Sequence, residues 1–125
     1  MAKVLGVGGV FFKVEDMDAV RDWYRRVLDV EFSEWGSADF QNPAGGMTVL
    51  SPFKAETEYF APSDKPFMIN LLVEDLDGVL ERARGEGVEP LGRQDESYGS
   101  FAWLMDPAGI KLELWEPKDA PTQAA

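Results

Sequence analysis

Hydrophobic residues follow two rhythms along this chain, and each rhythm occurs twice. Val7–Val14 is rich in β-branched and aromatic residues and reads as a strand. The next stretch places Val20, Trp23, Tyr24, Val27 and Leu28 at i, i+3, i+4, i+7 and i+8, the spacing of one buried helix face. Asp16 suits the N-cap of that helix, and Asp18 falls in its positive first turn. The order then returns: a strand at 68–73 and a helix with Leu76, Val79, Leu80 and Ala83 apolar, with Asp75 as cap and Gly85 and Gly87 at its end. Shorter strands are predicted near Val30–Trp35, Ala38–Gln41 and Met47–Ser51, and again near Val88–Arg93, Ser100–Met105 and Lys111–Trp115. Each half therefore reads β-α-β-β-β, and the fold class is α+β.

The halves also match letter by letter. Val10–Val20 and Ile69–Val79 lie at a constant offset of 59 positions, with Val14/Val73, Glu15/Glu74, Asp16/Asp75, Asp18/Asp77 and Val20/Val79 identical. Asn42-Pro43-Ala44-Gly45 echoes Asp106-Pro107-Ala108-Gly109, and each echo is a tight-turn signal before a last short strand. Two echoes in the same order define tandem modules within one domain spanning 1–125. Module one covers about 4–52, a proline-containing linker about 53–64, module two about 65–116 and a polar tail 117–125, expected to be disordered.

Alternation along the strands sorts side chains into two faces. Val10, Phe12, Val14, Ile69, Leu71, Val73, Ala102, Leu104, Ile110, Leu112 and Leu114 form the set expected to pack on the helices. The other set combines aromatics with a few polar groups: Phe11, Asn70, Phe101, Trp103, Glu113 and Trp115. Such a lining suits a small-molecule pocket, although the same residues can equally pack on one another or on a second subunit. Tyr59-Phe60 in the linker can reach a partner subunit or fold as a flap over its own core.

Composition narrows the chemistry. The chain has 125 residues, no cysteine and no histidine. Thiolate zinc sites, disulfides, and serine–histidine or cysteine–histidine catalysis are thereby excluded. The formal net charge of −11 argues against nucleic acid, whose phosphates demand lysine and arginine. No apolar run approaches the roughly 18 residues of a membrane span, and no signal-peptide core precedes the first strand, so no membrane association and a cytoplasmic location are expected.

Paired β-α-β-β-β modules, with V-x-D-x-D at each helix start and Asp106-Pro107-Ala108-Gly109-Ile110-Lys111-Leu112-Glu113-Leu114 closing the second, resemble the vicinal oxygen chelate superfamily. This is also called the glyoxalase/bleomycin-resistance/dioxygenase family. The resemblance implies a curved mixed sheet forming a cup, helices on its outer face, and homodimers. In metal-dependent members it also implies four ligands, and their positions fall here on Gly9, Val49, Met68 and Glu113. Glycine and valine offer no ligand atom, and a thioether poorly suits hard or borderline divalent ions. The chain is therefore expected to use no metal and no other cofactor.

These residues lead to a metal-independent small-molecule binding protein that sequesters an aromatic or cationic ligand in the cup, with Phe11, Asn70, Tyr98, Phe101, Trp103 and Glu113 as binding residues. Trp35 is a further aromatic candidate. Two alternatives stay open: a metal-free lyase or isomerase with Glu113 as general base, and a glyoxalase-like enzyme with an atypical carboxylate metal site. Glu113 can also simply pair with Lys13 or Lys111 on its own face.

Overall fold

The computed structural model describes residues 2–28, 30–41, 47–106 and 109–118. The first half comprises β1 (Lys3–Val14), α1 (Met17–Leu28), β2 (Ala38–Gln41) and β3 (Met47–Lys54). The second comprises β4 (Phe67–Glu74), α2 (Leu76–Gly85), β5 (Gly92–Glu96), β6 (Gly99–Met105) and β7 (Lys111–Pro117). All seven strands join one mixed sheet in the order β2-β3-β1-β4-β7-β6-β5. In each half the first strand pairs in parallel with the last, β1 with β3 and β4 with β7. The halves meet through the antiparallel pair β1–β4, which is interrupted by register shifts between Val4 and Gly6 and between Val7 and Gly9.

Both helices begin as the aspartates require. Asp16 accepts the amide of Ala19 at 3.0 Å, and Asp75 accepts that of Gly78 at 3.1 Å. Asp75 sits in the left-handed region at φ 63°, and Glu116 from β7 accepts the amides of Asp75 and Leu76. At the other end of α2, Gly87 takes φ +84°, the amide of Val88 returns to Ala83 and that of Gly87 to Arg84, a Schellman closure. Leu76, Val79 and Leu80 bury against Val73, Ala102 and Leu114, with Leu71 and Leu104 beside them, as the alternation predicts. Val20 and Tyr24 of α1 are half-buried, while the side chains of Trp23, Val27 and Leu28 lie outside the described residues.

Three expectations change. No strand forms at Val30–Trp35. The chain turns there instead, with Ser33 bonded to Ser37 and accepting the amides of Trp35 and Gly36, so module one is β-α-β-β among the described residues. The strand expected at Val88–Arg93 starts only at Gly92, because Val88 is used to close α2 and Pro90 has no amide to donate. β3 continues through Pro52 to Lys54, which shortens the linker, and β7 runs to Pro117, with Lys118 bonded to the Tyr98 carbonyl. The tail beyond Lys118 and the whole Asn42–Gly45 turn lie outside the described residues. The Asp106 turn is closed by Asp106 itself, which accepts the amide of Ile110 at 2.9 Å.

The linker lies across the sheet face that the sequence left open. Phe60 is fully buried there with Phe11 and Met68, next to Val49, Phe53 and Trp103. Ser63 bonds the carbonyl of Gly109, and the carbonyl of Pro66 receives the amide of Lys13. Of the two outcomes weighed for Tyr59-Phe60, the flap over its own core is the one observed. Among the described residues, no helix is long and apolar enough to cross a membrane.

Candidate functional site

Strand register assembles the site. Val49, Gly9, Asn70, Glu113 and Trp103 are successive partners across β3, β1, β4, β7 and β6. The residues thus form one lateral row, although they are spread over most of the chain. Glu113 is 3 % exposed and Asn70 2 %. A buried carboxylate needs donors, and this one has three. Asn70 Nδ2 donates to Oε1 at 2.7 Å, Trp103 Nε1 donates to Oε2 at 3.0 Å, and the Tyr59 hydroxyl also donates to Oε2.

Tyr59 stands on the linker that covers the cup. Its ring stacks on Phe53 with centroids 5.6 Å apart and meets Trp103 edge-on at 6.2 Å. Burial and the adjacent Glu113 carboxylate push its phenol well above the ordinary value of 10.0, because a phenolate there would be both desolvated and repelled. Lys111 donates to the Tyr59 carbonyl at 2.6 Å, and its ammonium lies 5.2 Å from the Tyr59 ring centroid and 5.6 Å from that of Trp103. Burial holds Lys111 below its ordinary 10.5, with Glu113 opposing that shift in part. Lys13 instead points its ammonium at the Phe60 ring.

Glycine makes room for this row. A Cβ on Gly8 would stand 2.0 Å from Asn70 Oδ1, and one on Gly9 would stand 2.7 Å from the Val49 carbonyl oxygen. Asn70 Oδ1 is buried beside Gly8 without a hydrogen-bond partner among the described residues.

Of the residues singled out from sequence, Asn70, Trp103 and Glu113 meet directly. Phe11 belongs to the neighbouring cluster under Phe60, in ring contact with Phe53 at 5.3 Å. Tyr98 and Phe101 form a separate aromatic group with Trp115. Tyr98 meets Phe101 edge-on at 6.0 Å, and Phe101 stacks on Trp115 at 6.3 Å. Met68 pairs with Phe11, not with the row through Glu113, where Asn70 stands. Trp35 is 85 % exposed and lines two other clefts, of about 420 and 620 Å³, beside the start of α1. Tyr59 is the site residue that the face analysis missed. Its only signal was an aromatic pair in a proline-bounded linker.

The family model of the Glyoxalase-like domain matches residues 9–115, and the chain belongs to that family, within the glyoxalase/vicinal oxygen chelate superfamily. No curated protein sequence matches the chain. Among solved structures, a Streptomyces coelicolor methylmalonyl-CoA epimerase variant in complex with 2-nitronate-propionyl-CoA is similar at TM-score 0.70 and 18 % identity, covering 94 % of this chain and 100 % of that one. The Mycobacterium tuberculosis methylmalonyl-CoA epimerase is similar at TM-score 0.64 and 20 % identity, covering 93 % and 90 %. A glyoxalase/bleomycin resistance protein/dioxygenase superfamily member from Vibrio splendidus is similar at TM-score 0.59 and 13 % identity, covering 93 % and 99 %. These likenesses establish the fold.

The superfamily's metal does not fit the residues present. Gly9 and Val49 supply no donor atom, and a Cβ on Gly9 would collide with the Val49 carbonyl oxygen. Among the described residues, no three acidic side chains gather to hold an ion. Glu113 already accepts from three N–H or O–H donors and would be the one ligand-equivalent position with a side-chain oxygen.

Proposed function

We propose that this protein is a metal-independent small-molecule binding member of its family, taking an aromatic or cationic ligand into the cup at Glu113. One observation carries this reading. The donor-bearing position that remains of the family's metal site is a buried carboxylate held by neutral donors from three other segments, among aromatic rings. That arrangement accepts hydrogen bonds from a ligand and surrounds it with flat apolar surface. Asn70 and Trp103 fix the carboxylate, and Tyr59 covers it.

Catalysis by Glu113 as a general base is a second reading, favoured by the direct contact of carboxylate and phenol, a proton acceptor beside a proton donor. Thermal-shift screening against aromatic amines, phenols, glycopeptides and thiol conjugates tests the first reading. A hit is expected to lose its effect in Glu113→Ala. A hit that turns over, with turnover lost in Glu113→Gln while binding persists, replaces the binding reading with the enzymatic one. No hit in wild-type protein counts against both. Homodimerisation is part of the proposal, supported by the exposed Val4, Leu5 and Val7 on β1. A monomer mass by light scattering would remove it.

A further inference from the structure

We infer that Tyr59 is an internal ligand of the cup, and that the molecule bound there is a small neutral aromatic hydrogen-bond donor, such as a phenol, that takes its place. The inference rests on the binding reading above and narrows it. The Tyr59 ring occupies a slot walled by three elements and open to solvent on its remaining side. Phe53 of β3 lies parallel to it, with an interplanar angle of 13°. Trp103 of β6 meets it at 89°, and Lys111 of β7 caps it from 5.2 Å. The floor is the Glu113 carboxylate, which receives the hydroxyl. A slot that accepts this side chain accepts a free molecule of the same shape and polarity.

Two contrasts make Tyr59 replaceable. Tyr59 is 39 % exposed, while its neighbour Phe60 is fully buried, so the linker stays pinned at Phe60 when the phenol swings out. The linker is also held by bonds that do not involve the phenol: Lys111 on the Tyr59 carbonyl, Lys13 on the Pro66 carbonyl and the Ser63 hydroxyl on Gly109, so the ring can turn out while the main chain stays in place. Lys111 decides the charge of the ligand. Its ammonium stands over the slot and already offsets the Glu113 carboxylate, so a second cation would leave an unbalanced like charge in a poorly solvated place. A neutral donor satisfies Glu113 without that repulsion. A ring with no donor leaves a buried carboxylate oxygen short of one hydrogen bond.

The test uses p-cresol and toluene, which differ by the hydroxyl, with calorimetric titration of wild-type, Tyr59→Phe and Tyr59→Ala proteins. An internal competitor lowers apparent affinity by the fraction of molecules in which it is out of the slot. Tyr59→Ala is expected to bind p-cresol at least about tenfold more tightly than wild type and at least about tenfold more tightly than it binds toluene. Tyr59→Phe, which keeps the ring and loses the anchor, falls between. Equal or weaker p-cresol binding by Tyr59→Ala, or no preference over toluene, overturns the inference. A ligand from the wider screen that binds wild type and is weakened by Tyr59→Ala also overturns it, yet leaves the binding reading standing. Failure of the whole screen on wild type, or turnover of the hit, removes that reading.

Discussion

The hydroxyl of Tyr59 is bonded to the Glu113 carboxylate across 54 positions of sequence, joining the linker to the last strand at the floor of the cup. The bond closes the sheet face over a charged group and leaves that group with donors on both oxygens.

Removing the acceptor strands its donors. Glu113→Ala leaves the buried Asn70 amide and the Trp103 indole unpaired and is expected to destabilise the fold by about 2–4 kcal/mol. Glu113→Gln keeps one carbonyl oxygen in place and should cost at least about 1 kcal/mol less. Urea denaturation of both variants reads the difference, and equal losses would show that the one oxygen kept by Gln does nothing and that both carboxylate oxygens are required.

The Tyr59 phenol gives the protein an alkaline limit. Its folded pKa lies above the unfolded value of 10.0, so the folded state holds that proton more tightly. The resulting stability is fully present below pH 10 and is lost as pH rises from there through the folded pKa. Lys111 acts with the opposite sign, since its depressed pKa disfavours the folded state while it is charged, and that penalty is relieved as pH climbs toward 10.5. The difference between wild type and Tyr59→Phe isolates the first effect. The stability gap should narrow above pH 10, and the phenolate absorbance assigned to Tyr59 should appear only beyond it. Appearance of that phenolate at or below pH 10 would contradict the geometry.

Anchor and cover have different weights. Phe60 fills the space between Phe11 and Met68, so Phe60→Ala is expected to cost about 3–5 kcal/mol, the range for a buried phenylalanine. Tyr59→Ala gives up a partly exposed ring and one hydrogen bond to a charged group, a loss of about 1.5–3 kcal/mol. Chemical denaturation midpoints should rank the two variants in that order.

Gly8 and Gly9 of β1 are expected to resist even a methyl group, whereas Gly6 has open space for one. Gly9→Ala drives a Cβ to within 2.7 Å of the Val49 backbone oxygen and should destabilise by about 1–3 kcal/mol. Gly8→Ala meets the Asn70 amide instead, so its signature is local: the Asn70–Glu113 bond breaks, and ligand binding at the cup falls with it. Amide-side-chain NMR of Asn70 follows that displacement directly.

The chain's own periodicities reached far. The internal repeat, both helices and their aspartate caps, and the helix-facing set through Val73, Ala102 and Leu114 all follow from local rules of spacing and capping. Those rules act within a few residues, so the sequence displays them. They also named Asn70, Trp103 and Glu113, because alternation puts all three on one face. They failed at Val30–Trp35 and Val88–Arg93, where apolar content suggested strands but serine turns, a helix closure and a proline used the backbone otherwise.

Tertiary structure decided what alternation cannot express. Antiparallel pairing of β1 with β4 set Gly9 opposite Asn70, and the parallel register of β4 on β7 set Asn70, not Met68, opposite Glu113. The path of the linker brought Tyr59 and Phe60 back over the sheet. A residue 54 positions from its partner leaves no periodic trace, because loop closure is governed by the packing of both ends and not by any pattern between them. Sequence alone thus put Asn70, Trp103 and Glu113 on one face, and only the folded chain determined that they bond to one another beneath its own phenol.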